Sequence, residues 1–221
     1  MINILLEGYD IAAPYLYETI KKYIKSTHKV AILAFSFRDS HVKSLEDWNE
    51  LYCKDNGKFY HGIVNGFIAY GIPEENISFI NYFADTKESA KTKIEKADII
   101  YFLGGLPDKM MARINEFDLK DTLMKHNGIV MGYSAGAVIQ LAEYHLSPDE
   151  DYPEFKYYEG LPYIDDFYLE VHYKGTEAQE TAIQKALKER KKTVYATVCM
   201  NGAILIDNGI VKLLGEVKEY R

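Results

Sequence analysis

The chain has 221 residues, of which 48 % are hydrophobic and 27 % charged, and its net charge is −7. This composition is typical of globular proteins. Because the chain is acidic, and its Lys-rich stretch at residues 188–192 fits a solvated helix end, we do not expect a nucleic-acid partner. No apolar run approaches the roughly 18 residues that span a membrane, and residues 1–10 do not resemble a signal peptide. We expect one cytoplasmic domain over residues 1–221, without a membrane partner.

Short apolar runs alternate with helical patterns over the first two thirds of the chain. Strands are predicted at residues 2–7, 29–37, 76–83, 98–105 and 128–133. Helices are predicted at residues 14–25, 44–52, 59–71, 86–97, 107–116, 118–126 and 134–145. This alternation indicates an α/β fold of three layers, α/β/α, in which a mostly parallel sheet carries helices on both faces.

The last third of the chain has a different pattern. Residues 147–166 are acidic, aromatic and rich in turn formers, which predicts a long excursion. A helix is predicted at residues 176–190, and strands at 167–172, 192–198, 202–208 and 209–215. The last two strands meet at the sequence DNG, which predicts a C-terminal β-hairpin.

The sequence GYSAG, at residues 132–136, stands where a predicted strand gives way to a predicted helix. In a G-x-S-x-G turn the serine is strained and exposed, and neighbours two residues away must be small. The helix N-terminus then points at the hydroxyl. We therefore predict that Ser134 is a nucleophile and that the N–H of Ala135 is an oxyanion donor. Gly105, which ends a buried strand, is the candidate for a second donor.

A serine nucleophile needs a base, and the chain has six histidines. His172 is the best placed, because it ends the predicted strand FYLEVH, and open α/β sheets place their sites at strand ends. His41 follows another strand and stays an alternative. His145 is expected at a helix end. If His172 is the base, its Nε2 should approach the Ser134 hydroxyl to about 2.6–3.2 Å.

Other chemistries have little support in the sequence. The motifs H-E-x-x-H, C-x-x-C and G-x-G-x-x-G are missing, so we expect neither a metal nor a cofactor. The two cysteines do not form a disulfide framework. Cys199 lies in a strand pattern, and we expect it to be a small buried residue. It does not occupy an elbow. This position argues against a cysteine amidotransferase.

The motifs GYSAGA, FLGG about 30 residues earlier, and GLPYIDDFYLEVHY afterwards together resemble the peptidase E and cyanophycinase group of serine peptidases. The resemblance covers about residues 98–175. It implies a class I glutamine amidotransferase-like fold, Ser134 as nucleophile, His172 as general base, and Gly105 with Ala135 as oxyanion donors. Peptidase E-like enzymes cleave dipeptides with an N-terminal aspartate, and cyanophycinases cleave a β-aspartyl-arginine polymer.

The resemblance also implies an acidic third triad member late in the chain. Met200 falls about where that acid would be, and no Asp or Glu lies between Arg190 and Asp207. Three residues are left open for this role: Asn201, Glu177 and Glu180.

The sequence thus predicts a serine hydrolase that cleaves a small peptide or isopeptide bond through an acyl-enzyme. Arg38, on the rim of the sheet, is the candidate partner for an acidic substrate group, and a homodimer is compatible with the sequence. The alternative is a non-catalytic binding protein on the same scaffold that lacks the triad acid. A third reading, an α/β-hydrolase esterase, is disfavoured because the elbow lies so late in a short chain.

Overall fold

A large sheet runs through the centre of the computed structural model, which describes residues 1–221 apart from the side chain of Cys199. The expectation that Cys199 is buried therefore lies outside the described residues. The strands are β1 (Ile2–Leu6), β2 (Val30–Leu33), β3 (Ile77–Ile80), β4 (Ile99–Phe102), β5 (Ile129–Tyr133), β6 (Glu143–Leu146), β7 (Lys156–Glu159), β8 (Phe167–Tyr173), β9 (Thr193–Asp207) and β10 (Ile210–Tyr220).

The central sheet has eight strands, in the order β10-β9-β1-β5-β4-β2-β3, and β8 also pairs with β9. The strands β1, β5, β4, β2 and β3 are mutually parallel, as the alternation predicts. Strand β9 is antiparallel to both β1 and β10. Parallel strands all end at the same edge of the sheet, and this edge carries the candidate site.

Eight α-helices flank the sheet: α1 (Pro14–Ile20), α2 (Leu45–Tyr52), α3 (Tyr60–Ile68), α4 (Lys87–Glu95), α5 (Pro107–Glu116), α6 (Lys120–Lys125), α7 (Ala135–Val138) and α8 (Glu177–Arg190). One face packs against α1 to α3, with Leu16 and Phe67 in its core. The other face packs against α4 to α7, with Ile94 and Met110 in its core. This is the predicted three-layer arrangement. Each fully buried side chain of this kind stabilises the fold by about 1.5–3 kcal/mol.

Strand β9 explains how distant parts of the chain meet. Its first half pairs in parallel with β8, and its second half pairs antiparallel with β1. The carboxyl ends of β1 and β8 therefore face each other across the middle of β9. There the backbone N–H of Glu7 donates to the carbonyl oxygen of Gly202, at 3.0 Å.

Three predicted elements need correction. The predicted helix at 134–145 stops at Val138, and its end forms strand β6. The reason is that the excursion returns and pairs with it: the N–H of Ala142 donates to the carbonyl of Ile164 at 2.7 Å, and β6 pairs with β7. The strands predicted at 192–198 and 202–208 are one long strand, β9.

The C-terminal hairpin is confirmed, since β9 and β10 pair antiparallel around Asn208 and Gly209. Both turn residues have positive φ angles, 48° and 82°, which a two-residue hairpin turn of type I′ requires. Of the described helices, none is long and apolar enough to cross a membrane.

Candidate active site

The GYSAG sequence forms a sharp turn between β5 and α7. Ser134 has φ 52° and ψ −115°, a strained conformation that its N–H stabilises by donating to the carbonyl of Leu6 at 3.0 Å. The flanking glycines are required by close approach. A Cβ on Gly132 would collide with the carbonyl oxygen of Gly136, and a Cβ on Gly136 would collide with that of Phe102. The turn thus holds the Ser134 hydroxyl at the carboxyl edge of the sheet.

His172 lies at the end of β8, where the pairing with β9 shifts register between Glu170 and Tyr173. Such a bulge re-aims a side chain, and His172 has a φ angle of 54°. Its carbonyl accepts a hydrogen bond from the Gln179 amide at 3.0 Å. The Ser134 Oγ lies 2.7 Å from His172 Nε2, within the range expected for a serine and its base.

Glu7 contacts the other side of the His172 ring. Its Oε1 lies 3.1 Å from His172 Nδ1. Because a carboxylate only accepts hydrogen bonds, Nδ1 carries the proton and Nε2 is free to accept the proton of Ser134. Ser134, His172 and Glu7 therefore form a continuous hydrogen-bonded line, with the arrangement of a serine-hydrolase triad.

The Glu7 carboxylate is held by further donors. Its Oε2 accepts a hydrogen bond from the backbone N–H of His172 at 2.9 Å and another from the hydroxyl of Thr197. The Glu7 side chain is only 1 % exposed, and Thr197 is fully buried. A buried carboxylate that accepts hydrogen bonds from several donors has one fixed orientation. Glu7 thus fixes both the orientation and the tautomer of His172.

The acid that contacts the His172 ring, Glu7, comes from the start of the chain and is not one of the three late residues considered from sequence. Glu180 accepts hydrogen bonds from the hydroxyls of Tyr173 and Tyr220, so it faces away from the His172 ring. Neither Glu177 nor Asn201 hydrogen-bonds with His172 among the described residues, and both are exposed. The local reason is that the acid comes from the end of β1, which β9 brings to the end of β8.

The two predicted oxyanion donors lie in the same cleft as Ser134. Gly105 has a φ angle of 138°, and a Cβ there would collide with the carbonyl of Ser36. The next residue, Leu106, donates its N–H to that carbonyl at 2.8 Å, which fixes the turn. Within the described part of the chain, the N–H groups of Gly105 and Ala135 have no protein acceptor, so both are free to bind a substrate oxygen.

The cleft has a volume of about 580 Å³. Its far wall is apolar and aromatic, with Leu51, Tyr52 and the half-exposed Phe59. Burial raises the pKa of Tyr52 above its ordinary value, so this hydroxyl stays neutral. The described residues contain no group of three His, Cys, Asp or Glu side chains arranged to hold a metal ion.

Comparison with protein families gives one match, to peptidase family S51, over residues 54–214. The chain belongs to this family. A crystal structure from Listeria monocytogenes EGD-e, of a protein provisionally assigned as peptidase E, has the same fold. The two share 16 % identity with a TM-score of 0.65, over 97 % of this chain and 98 % of the other.

A second crystal structure with this fold is that of a peptidase from an acI-B1 Actinobacterium. It has 16 % identity and a TM-score of 0.64, and the match covers 99 % of this chain and 93 % of the other. At this identity the likeness concerns the fold alone. Comparison with curated proteins gives no significant match.

Arg38, the predicted substrate-binding cation of this S51 chain, does lie in the cleft. Its guanidinium forms a two-pronged ion pair with Asp151, which comes from the excursion after β6, and the Nη2–Oδ2 distance is 2.6 Å. The ion pair holds the pKa of Asp151 below its ordinary value. The sequence placed Arg38 on the rim but gave no sign of this partner.

The other histidines considered from sequence have different positions. His41 lines the cleft, but the Ser134 hydroxyl contacts His172 and not His41. The sequence predicted His145 at the end of a helix, but the residue is buried on β6. There its Nε2 lies 2.9 Å from Glu170, which also accepts a hydrogen bond from Ser147. The predicted helix is replaced by β6 at this position, because β6 pairs with β7 of the returning excursion.

Proposed function

We propose that this S51 chain is a serine peptidase that hydrolyses a small peptide or isopeptide bond through an acyl-enzyme on Ser134. The observation that carries the proposal is the hydrogen-bonded line from Ser134 through His172 to the buried Glu7. It lies at the carboxyl edge of the sheet and opens into the cleft. A serine connected to an oriented base in this way is activated as a nucleophile.

In the first half of the proposed reaction, His172 Nε2 takes the hydroxyl proton as Ser134 Oγ attacks the substrate carbonyl. The N–H groups of Gly105 and Ala135 stabilise the oxyanion of the tetrahedral intermediate. The imidazolium then gives its proton to the leaving amine, which departs and leaves the acyl group on Ser134. In the second half, water loses a proton to His172 and attacks the acyl group, and the imidazolium then returns the proton to Ser134 Oγ as the bond between Oγ and the acyl carbon breaks. Glu7 stabilises the imidazolium in both halves.

The proposed substrates are peptides with an acidic first residue, as the resemblance to peptidase E implies. A substrate carboxylate that leaves water must be paired, because an unpaired charge is costly to bury. Arg38 is the proposed partner, since its guanidinium lies in the cleft and already binds a carboxylate in a bidentate ion pair. The cleft volume is enough for a small peptide.

The alternative function is a non-catalytic binding protein that kept the serine. Its main support was that the sequence showed no acid for the third position of the triad. Glu7 removes the main reason for that alternative, because it contacts His172 with the geometry of a triad acid. We therefore favour catalysis.

The test is reaction of the purified protein with a fluorophosphonate probe, followed by mass spectrometry of the modified peptide. We expect one modified residue, Ser134, and loss of labelling in Ser134→Ala. The matched control is Ser147→Ala, because Ser147 lies nearby but hydrogen-bonds to Glu170 instead of a free histidine nitrogen. This variant should label like the wild type. Equal labelling of Ser134→Ala would refute the proposal.

A further inference from the structure

The ion pair between Arg38 and Asp151 joins two separate parts of the cleft wall. Arg38 follows β2, and Asp151 lies in the excursion between β6 and β7, 113 residues away. Both side chains line the cleft that contains Ser134. Each oxygen of Asp151 contacts a different terminal nitrogen of Arg38, which is the geometry in which arginine binds any carboxylate.

We propose that Asp151 is an internal competitor that occupies the place of the substrate carboxylate on Arg38. An acidic substrate then binds by exchanging its carboxylate for that of Asp151, so Asp151 determines how strongly the cleft prefers acidic substrates. This inference rests on the proposed function of Arg38, and goes beyond it by naming the group that the substrate must displace.

The chain on either side of Arg38 is held by contacts that do not involve Asp151. The buried Arg113 lies with its guanidinium carbon 3.6 Å from the centre of the Phe37 ring and donates to the carbonyl of Phe37 at 2.9 Å. Arg113 also contacts Asp39, which pairs with Lys109 at 2.6 Å. The carboxylate next to Arg38 in sequence is therefore already engaged. The backbone that carries Arg38 therefore does not depend on Asp151 for its position.

The Asp151 side of the pair depends on local contacts. Asp149 Oδ1 accepts hydrogen bonds from the N–H groups of Asp151 and Tyr152, both at 2.8 Å. The Tyr152 hydroxyl donates to Asp108 at 2.6 Å. None of these bonds uses the Asp151 carboxylate, so its side chain can rotate away while the turn stays. The carboxylate is also 26 % exposed, so water can solvate it after the exchange.

The exchange costs little free energy, because an exposed ion pair contributes only about 0.2–1 kcal/mol of stabilisation. A lysine, Lys58, also lines the cleft, and its Nζ lies 5.2 Å from the centre of the Phe59 ring. If an acidic substrate bound Lys58 instead, Asp151 would not compete with it. The two cations therefore give different results when Asp151 is changed.

The experiment measures how an aspartyl dipeptide and an alanyl dipeptide protect Ser134 from the fluorophosphonate probe. For wild type, Asp151→Asn and Arg38→Ala, the readout is the peptide concentration that halves the labelling rate. In Asp151→Asn we expect this concentration to fall about two- to fivefold for the aspartyl peptide relative to the alanyl peptide, the range that an exposed ion pair provides. The matched control is Asp165→Asn, which removes a carboxylate paired with Lys192 far along the same excursion.

The control should behave like wild type, and Asp151→Asn in an Arg38→Ala background should show no gain over Arg38→Ala alone. An unchanged or weaker aspartyl preference in Asp151→Asn, or a gain that persists without Arg38, would overturn the inference. Asp151→Ala serves as a second variant should the asparagine keep a hydrogen bond to Arg38. If Ser134 is not labelled in any protein, it is the proposed function that fails. Labelling without the Asp151 effect refutes only the exchange.

Discussion

The base and the rim of the cleft both hold a carboxylate, and the two are built differently. At the base, Glu7 is 1 % exposed and accepts hydrogen bonds from the His172 ring, the His172 backbone and Thr197. On the rim, Asp151 is partly exposed and has one partner, Arg38. Burial makes the first arrangement rigid, since any lost partner leaves an unpaired polar group. Exposure makes the second exchangeable, because water replaces what is lost.

The largest effect should follow from removing the charge at the base. In Glu7→Gln we expect kcat to fall about 10⁴-fold, as when a triad acid becomes an amide, because His172 is no longer held in the tautomer with a free Nε2. Steady-state kinetics on the best peptide substrate would measure the loss. The control is Glu159→Gln, which removes an exposed carboxylate paired with Lys120 and should leave kcat unchanged. A loss below about tenfold would mean that Glu7 is not the third member.

Thr197 allows a finer test of the same base. Its hydroxyl donates to Glu7, and Thr197→Val replaces it with a group of similar shape. Because a hydrogen bond to a charged group contributes about 1.5–3 kcal/mol, we expect kcat to fall by about ten- to a hundredfold, with little change in KM.

A conservative variant separates the hydrogen bond of Thr197 from its packing. Thr197→Ser keeps the hydroxyl and should restore most of the activity. A serine variant as inactive as the valine variant would show that packing, and not the hydrogen bond, is what matters.

At the base of the cleft, the sequence predicted the features that depend on local contacts and missed the one that depends on a distant contact. GYSAG predicts the elbow because the collisions that Gly132 and Gly136 avoid involve neighbours in the same turn and strand. Glu7 was missed because its contact with His172 spans 165 residues and depends on one long strand, β9, that pairs with two others. A signal was present: a single glutamate directly after a buried strand.

The rim shows the same limit. Arg38 was predicted at the cleft because it follows a buried strand, and strand ends of a parallel sheet meet at one edge. Its partner Asp151 lies in an excursion whose path depends on β6 and β7, and the sequence predicted a helix where β6 lies. The periodicity of residues 134–145 is compatible with a helix. The pairing with the returning excursion decides otherwise.

We expect a Gly→Ala substitution to destabilise the protein more in the elbow than in a helix. In Gly136→Ala the new Cβ would collide with the carbonyl of Phe102, and we expect the free energy of unfolding to fall by about 1–3 kcal/mol. The control is Gly62→Ala in α3, where an added Cβ meets nothing within 4 Å. That variant should be neutral or up to about 1 kcal/mol more stable, since alanine favours helix. Chemical denaturation measures both, and equal effects would contradict the predicted collision.

The smallest effect belongs to the rim. Arg38→Ala removes an exposed ion pair, so we expect only a small fall in the free energy of unfolding at pH 7. The hydrogen bond from Arg38 lowers the pKa of Asp151 from its ordinary 3.8. A lowered pKa means that the contribution is fully present above 3.8 and is lost as the pH falls through the folded-state value. Urea unfolding of the two proteins should therefore differ at pH 7 and converge in acid.

Salt separates the rim from the base in the same measurement. In about 1 M salt, exposed charges are screened beyond roughly 3 Å, so the difference between wild type and Arg38→Ala should nearly vanish. The difference between wild type and Thr197→Val should persist, because Thr197 is fully buried and its loss is not screened. A loss of stability in Arg38→Ala that is as large as that in Thr197→Val and insensitive to salt would mean that the rim is as fixed as the base. Asp151 could not then exchange for a substrate.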